Sequence, residues 1–368
     1  DSDFGTDWQL ATITQATKND LFTDVDSGVK EAMTRNDLAQ LVLNTLESGT
    51  VEASSDVTQV TTGDVNVTTG KVEYNYVTSQ KDYAKAISDL EAVYATGIST
   101  SGCIVELGEK LYDGDLKKNE GTADDFGRPA TEWKYGTQTV GTFSDSPDAT
   151  FTTKVTKKAL YDAVDKSVYD SLDDGEYDLY YYVDGYGQKI ATNNIGNFVD
   201  KSDTAKINND ASDTGNGTLT EVFVDDDHDE VTVVVIRTYV FQATEDYNES
   251  NDQVKIAAAG DTAITLDNYT LDGDDFDISN VTEDDYLLIT ASRPSSSGKY
   301  EVQSVDVAEL VSGEVTAYSD SDDVTIDGTT YKYSATTLDA DGQQDEITST
   351  GGQTSLVLDK YGYVIAVD

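Results

Sequence analysis

The 368 residues carry 24 basic against 71 acidic side chains, a formal charge of −47 at pH 7. That balance repels nucleic-acid phosphates and anionic membrane surfaces, which excludes nucleic acid as a partner, and it accumulates cations, which brings in Ca2+ as a candidate cofactor. The length suits about two to four domains, and no apolar run approaches the roughly 18 residues of a membrane span. Cys103 is the only cysteine, so an intrachain disulfide is excluded and the thiol is expected to fill a strand in a core. Asp1 reads as a processed or trimmed end, with any export signal upstream of it.

In chain order, Leu10, Ile13, Thr17 and Leu21 recur at helical spacing, and Leu38, Leu41, Val42 and Leu46 do so again after Thr34, an expected N-cap. Phe22 to Gly28 is a turn-rich connector, and Gly49 is expected to cap the second helix. Residues 50 to 78 read as strands from the alternation in Lys71 to Val77. Tyr83, Ile87, Leu90 and Tyr94 then predict an amphipathic helix over 80–95, ended by Gly97. Beyond Ser101 the pattern is short strand and turn, broken by one brief helix over Lys157 to Lys166, where Leu160 and Val164 share a face. Val231 to Ile236 lacks alternation, which predicts a strand covered on both faces in a sandwich. Glu245 to Asp252 and Arg293 to Gly298 are polar loops.

Val183-Asp184-Gly185-Tyr186-Gly187-Gln188-Lys189-Ile190-Ala191 returns as Leu358-Asp359-Lys360-Tyr361-Gly362-Tyr363-Val364-Ile365-Ala366. Each copy reads as a hairpin, and its recurrence predicts tandem β modules that each bury a small core of their own. The fold class is therefore mainly β: a helical module over 1–49, an α+β segment over 50–121, and β-rich, sandwich-like domains over 122–195, 196–312 and 313–368.

Material for catalysis is thin. His228 is the only histidine and sits at the tip of an expected hairpin within Asp225 to Glu230. No nucleophile elbow, phosphate loop or paired Cys-x-x-Cys is present, and among 71 acidic residues no carboxylate pair is singled out. The chain is read as not an enzyme. Hard oxygen ligands of the kind calcium prefers are richer: Asp225, Asp227 and Asp229 alternate along one turn, and Asp272, Asp274, Asp275 and Asp277 crowd another. Neither fits EF-hand spacing, and Asp339-Ala340-Asp341-Gly342 falls short of it too; hydrated acidic turns that keep sheet edges soluble are the alternative. Tyr177, Tyr180, Tyr181 and Tyr182 offer rings to sugars, although alternation sends about half of them inward. The Val231 to Phe241 run is a candidate for edge pairing with another chain.

Trp8-Gln9-Leu10, Leu21 to Val25, Met33 to Gln40 and Leu43 to Leu46 together resemble an S-layer homology module, with Thr34, Arg35 and Asp37 at its second-helix motif. Asp124 to Tyr135, Gly141 to Phe143 and Asp148 to Thr152 look like the repeated surface region that follows such modules in anaerobic Gram-positive bacteria. The resemblance implies an exported protein at the cell surface or wall that assembles with copies of itself into a layer or filament, and that holds secondary cell-wall polymer through Trp8, Thr34, Arg35 and Asp37. Arg35 is open to two readings, contact with an anionic polymer or a local helix-start salt bridge. The alternative function is a wall-displayed adhesin or glycan-binding protein.

Overall fold

The computed structural model describes residues 8–28, 32–53, 58–62, 65–69, 74–79, 104–112, 115–209, 213–259, 264–296, 298–319, 321–335 and 347–368. The predicted helix 80–95, Gly97, Cys103 and the Asp339 to Gly342 loop lie outside them. The fold is mainly β. It divides into two compact units, residues 1–120 with 132–141 and residues 121–131 with 142–368.

In the first unit, α1 (Trp8–Lys18) ends earlier than the apolar spacing suggests. Asp20 turns left-handed at φ 55, Leu21 N–H reaches Ala16 O at 3.0 Å, and Asp20 N–H reaches Thr17 O at 3.3 Å, the paired bonds that close a helix C-terminus. Helix α2 (Arg35–Glu47) opens on Thr34, as expected, in a reciprocal capping box with Asp37. Leu41 and Leu46 are half-buried, while Leu38 and Val42 of the predicted apolar face are exposed. Gly49 does not cap α2, because Ser48 in extended conformation does. A Cβ on Gly49 would stand 2.7 Å from Ile104 Cγ2, so close packing is what requires glycine there. Strands follow as predicted: β1 (Val51–Ala53) pairs β4 (Tyr74–Tyr76), and β2 (Thr58–Thr62) pairs β3 (Val65–Thr69), all antiparallel. After α3 (Leu107–Tyr112), this unit takes the larger part of β5 (Leu116–Ala123), β6 (Pro129–Tyr135) and β7 (Gln138–Ser144), which pair in that order.

The second unit holds three five-stranded sheets. The first has the order β10 (Tyr186–Ile190), β9 (Asp178–Val183), β12 (Glu230–Ile236), β11 (Leu219–Asp225), β8 (Ala149–Phe151), with β12 parallel to β9 and the other pairs antiparallel. Helix α4 runs Lys157–Asp174, eight residues beyond the expected end. Asp165 breaks its backbone at φ 64, yet the Asp165 carboxylate accepts from Ser167 N–H and Val168 N–H and restarts the helix. Leu160, Val164, Val168 and Leu172, spaced by four, bury against Leu179, Val231, Val233 and Val235. On the opposite face Val234 and Ile236 pack with Phe126 and Phe223. Strand β12 is thus covered on both faces, but by a helix and by the 121–131 segment rather than by a second sheet. It is also central in its sheet, which withdraws it as an edge for pairing with another chain.

The second sheet orders β15 (Thr270–Asp272), β14 (Gln253–Ala258), β13 (Thr238–Ala243), β16 (Tyr286–Ser292), β17 (Glu301–Val307). The third orders β20 (Thr329–Lys332), β19 (Asp323–Ile326), β18 (Glu309–Tyr318), β21 (Gln353–Leu358), β22 (Val364–Val367). Alternation sends Phe241, Leu287 and Ile289 into the second sheet's own core and Val240 and Leu288 outward onto Val357, Ile365 and Ala366 of the third, a sandwich-like contact. The first sheet draws strands from both sides of residue 196, and residue 313 falls inside β18, so the sheets change at Arg237 and Ala308 instead.

The two repeated hairpins differ. In the first, Val183 pairs Tyr186, and the turn is Asp184-Gly185 with both φ positive, at 48 and 80. In the second, Asp359 Oδ1 accepts from Tyr361 N–H and Tyr363 N–H, and Gly362 carries the positive φ of 83. That loop matches Asp124-Asp125-Phe126-Gly127-Arg128, where Asp124 Oδ1 accepts from Phe126 N–H and Arg128 N–H and Gly127 has φ 84.

Asp184 is fully buried where the first sheet meets the second. Its carboxylate accepts from Arg237 N–H at 2.9 Å, Arg237 Nε at 2.8 Å and Tyr239 OH at 2.7 Å, and its backbone bonds Val235 O and Arg293 N–H. The Arg293 guanidinium lies 5.6 Å from the Tyr186 ring and 5.0 Å from Tyr300. Burial alone would lower the Arg237 pKa, but the Asp184 carboxylate outweighs it and holds the pKa above its ordinary value. Burial first, then Asp184, raises Tyr239 well above the ordinary phenol range. Removing one partner strands the other charge, so Arg237→Met is expected to destabilise the protein by about 3–5 kcal/mol in chemical denaturation. Adding Asp184→Asn to that variant should restore part of the loss; strictly additive costs would show that the two do not act as a pair.

Candidate functional site

The expected wall-polymer residues have distinct fates. The side chain of Trp8 lies outside the described residues. Thr34 and Asp37 serve the module itself: the Asp37 carboxylate accepts from Asp26 N–H, Ser27 Oγ, Thr34 N–H and Thr34 Oγ1. Ser27 and Thr34 in particular hold Asp37 well below the usual carboxylate range, and only 5 % of it is exposed. Two turns along the same helix, Asn44 Nδ2 donates to Leu21 O and Thr23 O, so Asp37 and Asn44 together tie the connector to α2. Arg35 is exposed and makes no ion pair among the described residues, so its guanidinium is open to an outside partner.

Among the described residues no group of three or more acidic, His or Cys side chains converges as a metal site. Asp225 is taken up by its own turn: Oδ1 accepts from Asp227 N–H and His228 N–H at 3.0 Å, and Oδ2 faces His228 Nδ1 at 2.8 Å. Asp227 and Asp229 point to solvent, Asp229 at the left-handed φ of 57 that closes the hairpin. Asp272 Oδ1 accepts from Asp274 N–H at 3.0 Å and Oδ2 from Gln253 Nε2 at 3.3 Å, and Asp277 accepts from Ser279 at 3.3 Å. Asp225 and Asp272 are turned back onto the N–H groups of their own turns, and this holds them away from the other aspartates of the two clusters predicted for calcium. His228 keeps the predicted tip position, with its pKa raised by the hydrogen bond to Asp225.

One concave surface lies on the face of the first sheet opposite α4. Register puts Tyr180, Thr232 and Phe223 side by side on β9, β12 and β11, with Glu230 and Asp225 at the next position of that face. Of the tyrosines expected to offer rings, Tyr181 turns into the core and Tyr177 packs at its margin, donating to Asp226 at 2.9 Å. Tyr180 and Tyr182 face the other way. The 121–131 segment covers half of this face: Phe126 inserts, and Arg128 spans it, bonded to Asp124 at 2.6 Å and Glu221 at 3.5 Å. Gly127 lets the segment lie flat, since a Cβ there would stand 2.6 Å from the Tyr182 ring. The uncovered half is a groove of about 300 Å³ between the segment and the strip of Tyr180, Tyr182 and Phe223. Burial, then the Glu230 carboxylate, raises the pKa of both Tyr180 and Tyr182.

A second buried acid closes the seam between the first and third sheets. Asp359 is 5 % exposed, its Oδ2 has no hydrogen-bond partner among the described residues, and a Cβ on Gly217 would stand 2.0 Å from that oxygen. Asn216 O accepts from Ala335 N–H at 2.8 Å in the same seam. Neither Asp359 nor the Asp184–Arg237 pair was singled out from sequence.

No protein-family model matches the sequence, and no curated protein matches it.

Burial is the largest influence on Asp359 and raises its pKa. A group whose folded value exceeds its unfolded value contributes most below the unfolded value, about 3.9, and loses that contribution as pH rises through the folded one. Asp359→Asn is therefore expected to raise Tm relative to the parent at neutral pH, with the gap closing as pH falls towards 4. A gap independent of pH would contradict the assignment.

Proposed function

We propose that the chain is a structural cell-surface protein similar to S-layer proteins, exported, displayed at the wall, and assembling with copies of itself into a layer or filament rather than catalysing a reaction. One observation carries this reading: the three sheets of the second unit each touch both others. The first meets the second at Asp184–Arg237 and the third at Asn216–Ala335, and the second packs face to face on the third through Val240, Leu288, Val357 and Ile365. Such a closed arrangement holds its outer surfaces at fixed angles, which a repeating assembly requires. The resemblance of residues 8–47 to an S-layer homology module supports display, with Arg35 as the outward group for an anionic wall polymer. A charge of −47 opposes contact between copies, so assembly rests on cations, calcium among them, acting by screening across the surface rather than at a dedicated cage.

The test is electron microscopy of the purified protein across a calcium titration with a chelator control. Ordered arrays or filaments that dissolve on chelation are expected. Particles that stay monomeric at every calcium level would overturn self-assembly, and arrays indifferent to chelator and salt alike would overturn the screening argument.

A further inference from the structure

The groove on the open face of the first sheet has a composition that packing does not explain. A sheet face beside a buried core is ordinarily apolar or fully solvated; here Tyr180 and Tyr182 stand half-buried with phenolic oxygens that make no hydrogen bond among the described residues. Glu230, on the adjacent strand, has a carboxylate with no ion pair among the described residues, and His228 presents its second ring nitrogen at the rim. The surface therefore offers aromatic rings together with hydroxyl and imidazole donors and carboxylate acceptors, in about 300 Å³.

We propose that this groove is a binding site for a neutral sugar ring, the pyranose stacking on Tyr180 and its hydroxyls bonding Glu230 and the Tyr182 phenol. Three features select that class. An anionic ligand meets Glu230, Asp225 and a strongly acidic chain. A simple cation needs acceptors only and leaves the phenols unpaired. A polyol needs donors and acceptors beside an apolar ring face, and the groove supplies all three. Gly121 to Ala123 and Gly127 form the opposite wall with small residues, which keeps the slot open. The site is independent of whether copies assemble, since every group in it comes from one chain.

The experiment is saturation-transfer NMR on the full chain with methyl β-D-glucopyranoside, methyl β-D-galactopyranoside and methyl α-D-mannopyranoside, beside galacturonic acid and spermidine. Saturable binding of at least one neutral glycoside is expected, weakened about tenfold by Tyr180→Ala and by Glu230→Gln but retained by Tyr180→Phe, which keeps the ring. Circular dichroism melts of each variant separate lost binding from lost fold, and Tyr186→Ala, on β10 outside the groove, is the control that retains binding. No saturable signal from any neutral glycoside, binding unchanged by Tyr180→Ala, or binding of spermidine alone would each overturn the proposal, the last in favour of a basic partner segment.

Discussion

A carboxylate with no solvent exposure, held between a guanidinium, a phenol and a backbone N–H, sets the geometry of the larger unit. Asp184 belongs to the tight turn of the β9–β10 hairpin and Arg237 is the single residue between β12 and β13, so their pairing fixes where the second sheet departs from the first. Two charges taken from water cost several kcal/mol each, and their attraction offsets this only when every lone pair is met. Here Arg237 Nε, Arg237 N–H and Tyr239 OH meet the carboxylate together. An ion pair of this kind contributes little to net stability, but it penalises every arrangement that would separate its members. It acts on orientation more than on stability.

The remaining contacts follow from that junction. With the second sheet oriented, Val240 and Leu288 face Val357 and Ile365, and the third sheet returns to the first at Asn216 and Asp359. The seams differ in character: one ionic, one apolar, one with a carboxyl oxygen left without a partner among the described residues. A closed set of three seams resists relative motion of the sheets, which is the property a repeating surface layer draws on. In the assembly we propose, the acidic exterior keeps copies apart until cations screen it.

Much of the local structure was legible in the sequence. Thr34 as an N-cap, the Thr- and Val-rich strands after residue 50, and the doubly buried β12 each follow from spacing or side-chain type. What was not legible depended on partners distant in the chain. Sequence could not show that β12 is covered by α4 on one face and Phe126 on the other, since the same apolar run suits a sandwich. The kinked half of α4 was missed because Asp165-Lys166-Ser167 interrupts its pattern, although Asp165 recaps it. The repeated Asp-x-aromatic-Gly pattern suggested one hairpin twice, whereas the Asp184 copy turns at Asp-Gly and the Asp359 copy shares its loop with Asp124 to Arg128. Arg237 did leave a signal: a lone cation inside the run Val231 to Phe241 has to be buried with an acid, and Asp184, in a turn between apolar strands, was available. For the groove, alternation correctly sent Tyr180 and Tyr182 away from Tyr181, but only the fold revealed that residues 121–131 cover half that face and stop.

The central claim is that residues 142–368 behave as one body through their three seams. Hydrogen–deuterium exchange of the full chain under native conditions, followed by mass spectrometry, tests it most directly. Peptides from β12, β13 and β21 should open with a common free energy and lose protection together when Arg237 is replaced by Met. If the three sheets exchanged with separate opening energies, and the Arg237 substitution affected only its own strands, the unit would be a string of independent domains and the account would fail.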